Sequence, residues 1–331
     1  MQIMQKKMLF ILGRGRSGTT LLSSILNNYE QICVAPECMF IMNLVKKYKN
    51  KRFNGNIIDQ FCKDIFLENR IKNWSFNKDE LVKFLKNELA HNDGFSKAVK
   101  AVYFAHAVFN SKSSSKILGD KNPHYALFPN ALYKLFPNAY WIHIVRDPRA
   151  VTSSYKRVNF DYSKAGILAV RWNKYNNSII NSDVYKSNKY IQIKYEDLIS
   201  SSEDTVKKLL DFLKISKVER QKPKIVIRDN LKSCPWHQKL QEGLDNSRIN
   251  AWKRELKIGD IELIEKICYD LMVTFSYLQP ETVIKHRSTF FVLSNSVIAN
   301  LSILLEKILF NFPVRIRSKI IKIYRRMSKT L

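Results

Sequence analysis

Lys7-Met-Leu-Phe-Ile-Leu-Gly13-Arg-Gly-Arg-Ser-Gly-Thr-Thr20 sets a short apolar run directly before a glycine-rich loop. The run is too short for the apolar region of an export signal and predicts a buried strand. Behind the loop, Leu21, Leu22, Ile25 and Leu26 recur at helical spacing, so the local order is strand, loop, helix. Laid on the pattern Gly-x-x-x-x-Gly-Lys-Ser/Thr, Gly13, Gly18 and Thr20 match, while Thr19 takes the lysine position. Glycines let backbone N–H groups converge on phosphate oxygens, and a helix N-terminus adds partial positive charge. Arg16 supplies a cation inside the loop, and its forked guanidinium suits two oxygens of one phosphate or sulfate. The expectation is an anion-binding loop for something other than a triphosphate. A tight glycine turn with Arg16 in solvent is the plain alternative.

Four more apolar runs, Gln31–Val34, Lys116–Leu118, Ala139–Val145 and Tyr190–Lys194, join Lys7–Leu12 as candidate strands. Helical spacing fills 40–110, 164–183 and 203–215, and Pro148 suits the first position of a further helix. Strands alternating with helices predict an α/β fold with a central, mainly parallel sheet flanked by helices. Residues 216–250 are polar, carry Pro223 and Pro235, and read as loop. With 45% hydrophobic and 26% charged residues, disordered and collagen-like chains are excluded. Cys33, Cys38, Cys62, Cys234 and Cys268 are scattered without a Cys-x-x-Cys pair, and the histidines lack ligand spacing. Neither a disulfide framework nor a metal site is therefore expected, and the setting is expected to be reducing and cytoplasmic. The chain carries 56 Lys and Arg against 29 Asp and Glu, a formal charge of +27. Such an excess draws anions, whether a nucleic acid, a phosphate-bearing ligand or an anionic membrane.

Gly13-Arg-Gly-Arg-Ser-Gly-Thr-Thr-Leu-Leu22 resembles the 5′-phosphosulfate loop of sulfotransferases, which use 3′-phosphoadenosine 5′-phosphosulfate (PAPS) as co-substrate. A second segment agrees: Val145-Arg146-Asp147-Pro148-Arg149-Ala150 with Ser153-Ser154 resembles the family's 3′-phosphate motif, an arginine ending a strand with a serine eight residues on. An arginine at a strand's C-terminal end and a serine two turns into the next helix can reach one phosphate. By itself the same segment also suits a helix-capping turn with an Asp–Arg pair. The resemblance spans roughly residues 7–280 and implies the P-loop-like sulfotransferase fold, closest to the tyrosylprotein and carbohydrate branch. It implies nucleotide contacts at Arg14, Gly15, Arg16, Ser17, Gly18, Thr19, Thr20, Arg146 and Ser154. More loosely, Tyr195 matches a tyrosine near the nucleotide, although a core aromatic fits it as well. Ser247, Arg248 and Lys253 resemble a late loop that closes over the nucleotide, beside Trp252, which either stacks or packs.

The resemblance also implies a catalytic set of Glu37, Arg16 and Lys121. Glu37 follows the second strand and matches a glutamate that would act as general base on a hydroxyl. Helix N-terminal capping is the plain alternative. Lys121, in Gly119-Asp-Lys-Asn-Pro123, would neutralise charge on the bridging oxygen, or it is a surface lysine in a turn. His106 and His124 match no motif of the branch that uses a histidine base and read as ordinary partly buried or surface residues. The expected reaction moves a sulfuryl group from PAPS to a hydroxyl of a glycan, lipid or peptide, without a metal. A P-loop nucleoside or sugar kinase using ATP is the competing enzyme, with Thr19 against it. A non-catalytic module whose basic tail binds nucleic acid or membrane is the competing non-enzyme, with no recognisable nucleic-acid motif.

The end of the chain differs in kind. Ser288–Leu305 holds no charge, yet seven of its 18 residues are Ser, Thr or Asn, a poor composition for a membrane span. Val297, Ile298, Leu301, Leu304, Leu305 and Ile308 keep helical spacing, and from Lys307 to Leu331 there are eight Lys or Arg and no acid. Ile316, Ile320, Ile323 and Met327 form an apolar stripe among these cations. The expectation is a sulfotransferase domain over 1–280 and a basic helical extension over 281–331. That extension either packs on the domain or lies on an anionic membrane, making the protein peripheral at the inner membrane surface.

Overall fold

The apolar run before the glycine loop forms β1 (Lys7–Leu12), the central strand of a five-stranded sheet. The structure, a computed structural model, describes residues 2–68, 70–158, 162–215, 246–282 and 289–309, with Phe312, Ile316 and Ile320. After β1 come α1 (Thr19–Leu26), β2 (Ile32–Ala35), α2 (Phe40–Tyr48), α3 (Gly55–Ile65), α4 (Lys78–Glu88) and α5 (Phe95–Phe109). The next elements are β3 (Ile117–Lys121), α6 (Pro129–Leu135), β4 (Tyr140–Val145), α7 (Pro148–Lys156), α8 (Ala165–Ile180) and β5 (Tyr190–Lys194). They are followed by α9 (Tyr195–Ser200), α10 (Ser202–Phe212), α11 (Trp252–Glu255), α12 (Ile258–Thr274) and α13 (Thr289–Leu309). The strand order is β2-β3-β1-β4-β5, and every pairing is parallel.

A parallel sheet needs cover on both faces, and the alternation within β1 shows how it is supplied. Met8, Phe10 and Leu12 face one core with residues of α2–α6, while Leu9 and Ile11 face another with α1, α9 and α10. Phe10 stacks on Trp141 of β4 with ring centres 4.9 Å apart. A third cluster joins α7, α8, α11 and α12 beyond the sheet edge. Helix starts are marked where the sequence provides a cap. Asn77 Oδ1 accepts from Glu80 N at 2.9 Å and Glu80 Oε2 from Asn77 N at 2.7 Å, a reciprocal pair at the head of α4.

The third strand runs further than its apolar signal. Expected over Lys116–Leu118, it continues through Gly119, Asp120 and Lys121, all buried. Gly119 fits because a Cβ there would lie 2.7 Å from Val34 Cγ2 of the neighbouring strand. Asp120 is held by the Tyr103 hydroxyl, and burial pushes its carboxyl up to about 7. The loop expected over 216–250 lies outside the described residues as far as residue 245. So does Cys234, whereas the other four cysteines are buried free thiols.

At the far end, α13 lies along α8. Arg171 of α8, 2% exposed, donates to Ser302 Oγ and to Glu306 Oε1, each at 2.6 Å. The expected stripe at Ile316, Ile320, Ile323 and Met327 lies outside the described residues apart from its first two members.

Phe10→Ala should lower the unfolding free energy by about 3–5 kcal/mol, because a fully buried ring stacked on Trp141 leaves a cavity at the sheet centre. Urea unfolding measures this, and a loss under about 1 kcal/mol would contradict the packing described.

Candidate active site

The loop after β1 is held in a shape that its residues would not adopt alone. Gly18 has φ +91°, and a Cβ there would fall 2.4 Å from Tyr195 Cδ2, so both backbone and space require glycine. Arg16 has φ 69°, a left-handed conformation that a side-chain-bearing residue keeps only when neighbours fix it. Two contacts do so. Its carbonyl accepts from Arg146 Nη1 at 3.0 Å, and its own Nε donates to Ser154 Oγ at 3.0 Å. Arg16, Arg146 and Ser154, separated by some 130 residues, therefore meet at the C-terminal edge of the sheet. Asp147 caps α7 through Arg149 N at 2.8 Å and pairs with the Arg149 guanidinium at 2.6 Å. The capping turn therefore leaves Arg146 to face the loop, where the 3′-phosphate contact was expected.

The electrostatics here are lopsided. Arg146 is 7% exposed, and its other amino group donates to the Arg248 carbonyl at 3.2 Å. Its Nε has no hydrogen-bond partner among the described residues. Burial, with the nearby Arg146 and Arg157, lowers the pKa of Arg16. Arg157 is neutralised by Glu255, whereas neither Arg16 nor Arg146 has a carboxylate partner among the described residues. Two adjacent cations without a carboxylate partner among the described residues, beside a glycine-rich loop, can serve as a site for an anion.

A second cluster borders the same loop and includes a carboxylate. Lys121, ending β3, donates to Glu37 Oε1 at 2.5 Å and to Thr20 Oγ1 at 3.2 Å. Arg70 holds the other oxygen of Glu37. Burial alone would raise the Glu37 pKa, but Lys121 and Arg70 outweigh it and hold the carboxyl down at about 2. A carboxylate, an ammonium and the phosphate-loop helix thus share one edge.

Residues 9–219, more than half of the chain, match the family model described as "Sulfotransferase family". The chain belongs to the sulfotransferase family. No curated protein matches it. The sulfotransferase domain from the curacin biosynthetic pathway superposes with a TM-score of 0.52 at 21% identity, over 80% of this chain and 97% of that one. The sulfotransferase domain of the Synechococcus PCC 7002 olefin synthase gives 0.54 at 22% identity, over 83% and 97%. These likenesses establish the fold, a sulfotransferase sheet with the P-loop-like arrangement.

Within this sulfotransferase the remaining expected positions divide. Tyr195 is 9% exposed and lies under the Arg146 guanidinium, ring centre at 4.0 Å, so it belongs at once to the core and to the loop's surroundings. Ser17 and Thr19 are buried, while Gly15 faces the Tyr155 hydroxyl. Arg14 points elsewhere, between the rings of Tyr155 and Tyr175 at 4.5 and 4.7 Å. Ser247 and Arg248 sit on the turn Asn246–Arg248, which reaches the site through the Arg248 carbonyl. Lys253 is exposed on α11, with its ammonium 5.8 Å from the Trp252 ring. Trp252 packs in the third core against Arg149, 4.0 Å away. His106 is buried and accepts from Ser75 N at 3.1 Å, a structural role. His124 stands three residues after Lys121, its Nδ1 3.3 Å from Tyr175 Oη and 3.9 Å from Glu306. Arg70 was not among the expected residues, and no motif or spacing around it signals its pairing with Glu37.

The depressed pKa of Glu37 makes a signed prediction. An acid with a lowered folded pKa adds stability above its ordinary value near 4.5 and loses it as pH falls towards 2. Urea midpoints of Glu37→Gln should therefore fall less steeply than those of the parent between those limits. Parallel curves would show that the pairing adds nothing.

Proposed function

We propose that this sulfotransferase moves a sulfuryl group from PAPS to a hydroxyl of a glycan, lipid or peptide acceptor. The observation that carries the reading is the meeting of Arg16, Arg146 and Ser154, two inward cations lacking a carboxylate beside a glycine loop. The loop from Arg14 to Thr20 would hold the 5′-phosphosulfate. Arg146 and Ser154, with Tyr195 and the turn at Ser247 and Arg248, would hold the 3′-phosphoadenosine part. When bound, PAPS supplies an activated sulfuryl group with a phosphate as leaving group. Positioning and charge stabilisation are then the protein's main tasks, as in phosphoryl transfer.

Arg16 stabilises charge on the group in transit. Glu37 accepts the acceptor hydroxyl's proton. At about 2, its resting pKa makes it a reluctant base, because a carboxylate gripped by Lys121 and Arg70 has little affinity for a proton. Lys121 resolves this by having two partners within reach, Glu37 and the loop's Thr20. As negative charge grows at the loop, the ammonium turns to it and Glu37 gains proton affinity. One lysine thus couples departure of the phosphate to deprotonation of the hydroxyl.

Titration calorimetry with 3′-phosphoadenosine 5′-phosphate, against ATP with Mg²⁺, tests the reading. Binding of the former is expected, weakened about 10- to 100-fold by Arg16→Ala or Arg146→Ala, as for lost charge-assisted hydrogen bonds. With labelled PAPS and a hydroxyl acceptor found by screening, Glu37→Gln should lower kcat by about 10²–10⁴ while leaving nucleotide affinity within a few-fold. Preference for ATP, or transfer from it, would overturn the proposal in favour of a kinase.

A further inference from the structure

Helix α13 turns a mixed face inward, with Ala299, Ile303 and Leu309 buried and polar side chains among them. Asn295, Ala299, Ser302 and Glu306, spaced by four, three and four residues, turn to the domain. Ser302 and Glu306 accept from Arg171, Glu306 also accepts from Tyr175 Oη at 3.3 Å, and Asn295 closes against Gly166. The opposite side is apolar and in solvent. Leu293, Val297, Leu301, Leu304 and Ile308 are 59, 57, 59, 54 and 42% exposed. A helix on a soluble domain ordinarily turns its apolar stripe to the core. Here the stripe runs about 22 Å along the helix axis. Phe312 and Ile316 beyond it are also exposed, so seven of the twelve exposed large apolar residues among those described lie on this one stretch.

We propose that this stripe seats the protein on a membrane surface bearing anionic lipid headgroups. The occupant is chosen by charge. From Lys307 to Leu331 the sequence has eight Lys or Arg and no acid, directly continuing the stripe. Cations of that density beside an apolar ridge match an interface with hydrocarbon below and anionic headgroups around it. A second copy would bring another run of eight Lys or Arg without an acid against this one and be repelled. The helix lies on the bilayer rather than across it. Val292–Leu309 is long and apolar enough to span, but spanning would strip α13 from α8 and take from Arg171 its bonds to Ser302 and Glu306. Half in and half out, α13 uses one face for the domain and the other for lipid.

Flotation of the full chain with vesicles tests this, comparing phosphatidylcholine alone with phosphatidylcholine containing phosphatidylglycerol. The expected result is flotation with the anionic vesicles, weakened by raised salt. The triple variant Val297→Gln, Leu301→Gln, Leu304→Gln should reduce binding about 100-fold, since it removes three buried apolar contacts. Its thermal unfolding by circular dichroism should match the parent, because all three positions are exposed. Undiminished binding of the variant would overturn the proposal by assigning attachment to the basic segment alone. No flotation with either vesicle would also overturn it, and light scattering then reads the oligomeric state. A dimer that the variant abolishes would put a second copy on the stripe, and a monomer would leave the stripe without an occupant.

Discussion

The Arg146 guanidinium ties the site together. It donates to the carbonyls of Arg16 and Arg248 and lies over the ring of Tyr195, while the Arg146 carbonyl accepts from Trp172 Nε1 at 2.9 Å. Five separated stretches of chain are thereby fixed around one buried cation. A guanidinium cannot lose its proton to escape burial, so its surroundings must supply acceptors. They do so with backbone carbonyls, which stabilise the charge without cancelling it. The loop therefore takes its left-handed turn at Arg16 and stays electropositive.

Around that centre the molecule keeps two kinds of charge apart. On one side Arg16 and Arg146 have no carboxylate partner among the described residues. On the other, Glu37 is held by two cations. The first side is left electropositive, and the second holds a carboxylate of its own. Thr20, at the start of α1, touches the second through Lys121 and belongs by sequence to the first. The sheet makes this possible because β1, β3 and β4 are adjacent and parallel, so that the residues at their C-terminal ends share one edge.

The parts of this arrangement that were legible in the sequence are those with a local cause. β1 and β5 read to the residue, because each apolar run is bounded by charge or glycine. Arg16, Arg146 and Ser154 could be named because two short motifs, each behind a strand end, resemble those of a known family, and strand ends in a parallel sheet share an edge. β3 was read short because Gly-Asp-Lys has the composition of a turn. Only the Tyr103 hydroxyl and the nearness of Val34 make those residues strand, and neither is visible locally. Arg70 was hidden for the same reason, since its partner is 33 residues away with no repeat linking them. In α13 the apolar spacing was plain, but its outward sense depends on Arg171 capturing Ser302 and Glu306 from a distant helix.

That capture bears on the order in which the protein can be completed during synthesis. All five strands have been made by residue 194, and α8 with them. The acid that receives Arg171 comes 135 residues after it. Until then α8 must dock without two of the oxygens its arginine uses, or wait with that side in water. The sheet strands are thus all in place in the chain before α13 supplies the two oxygens that Arg171 uses.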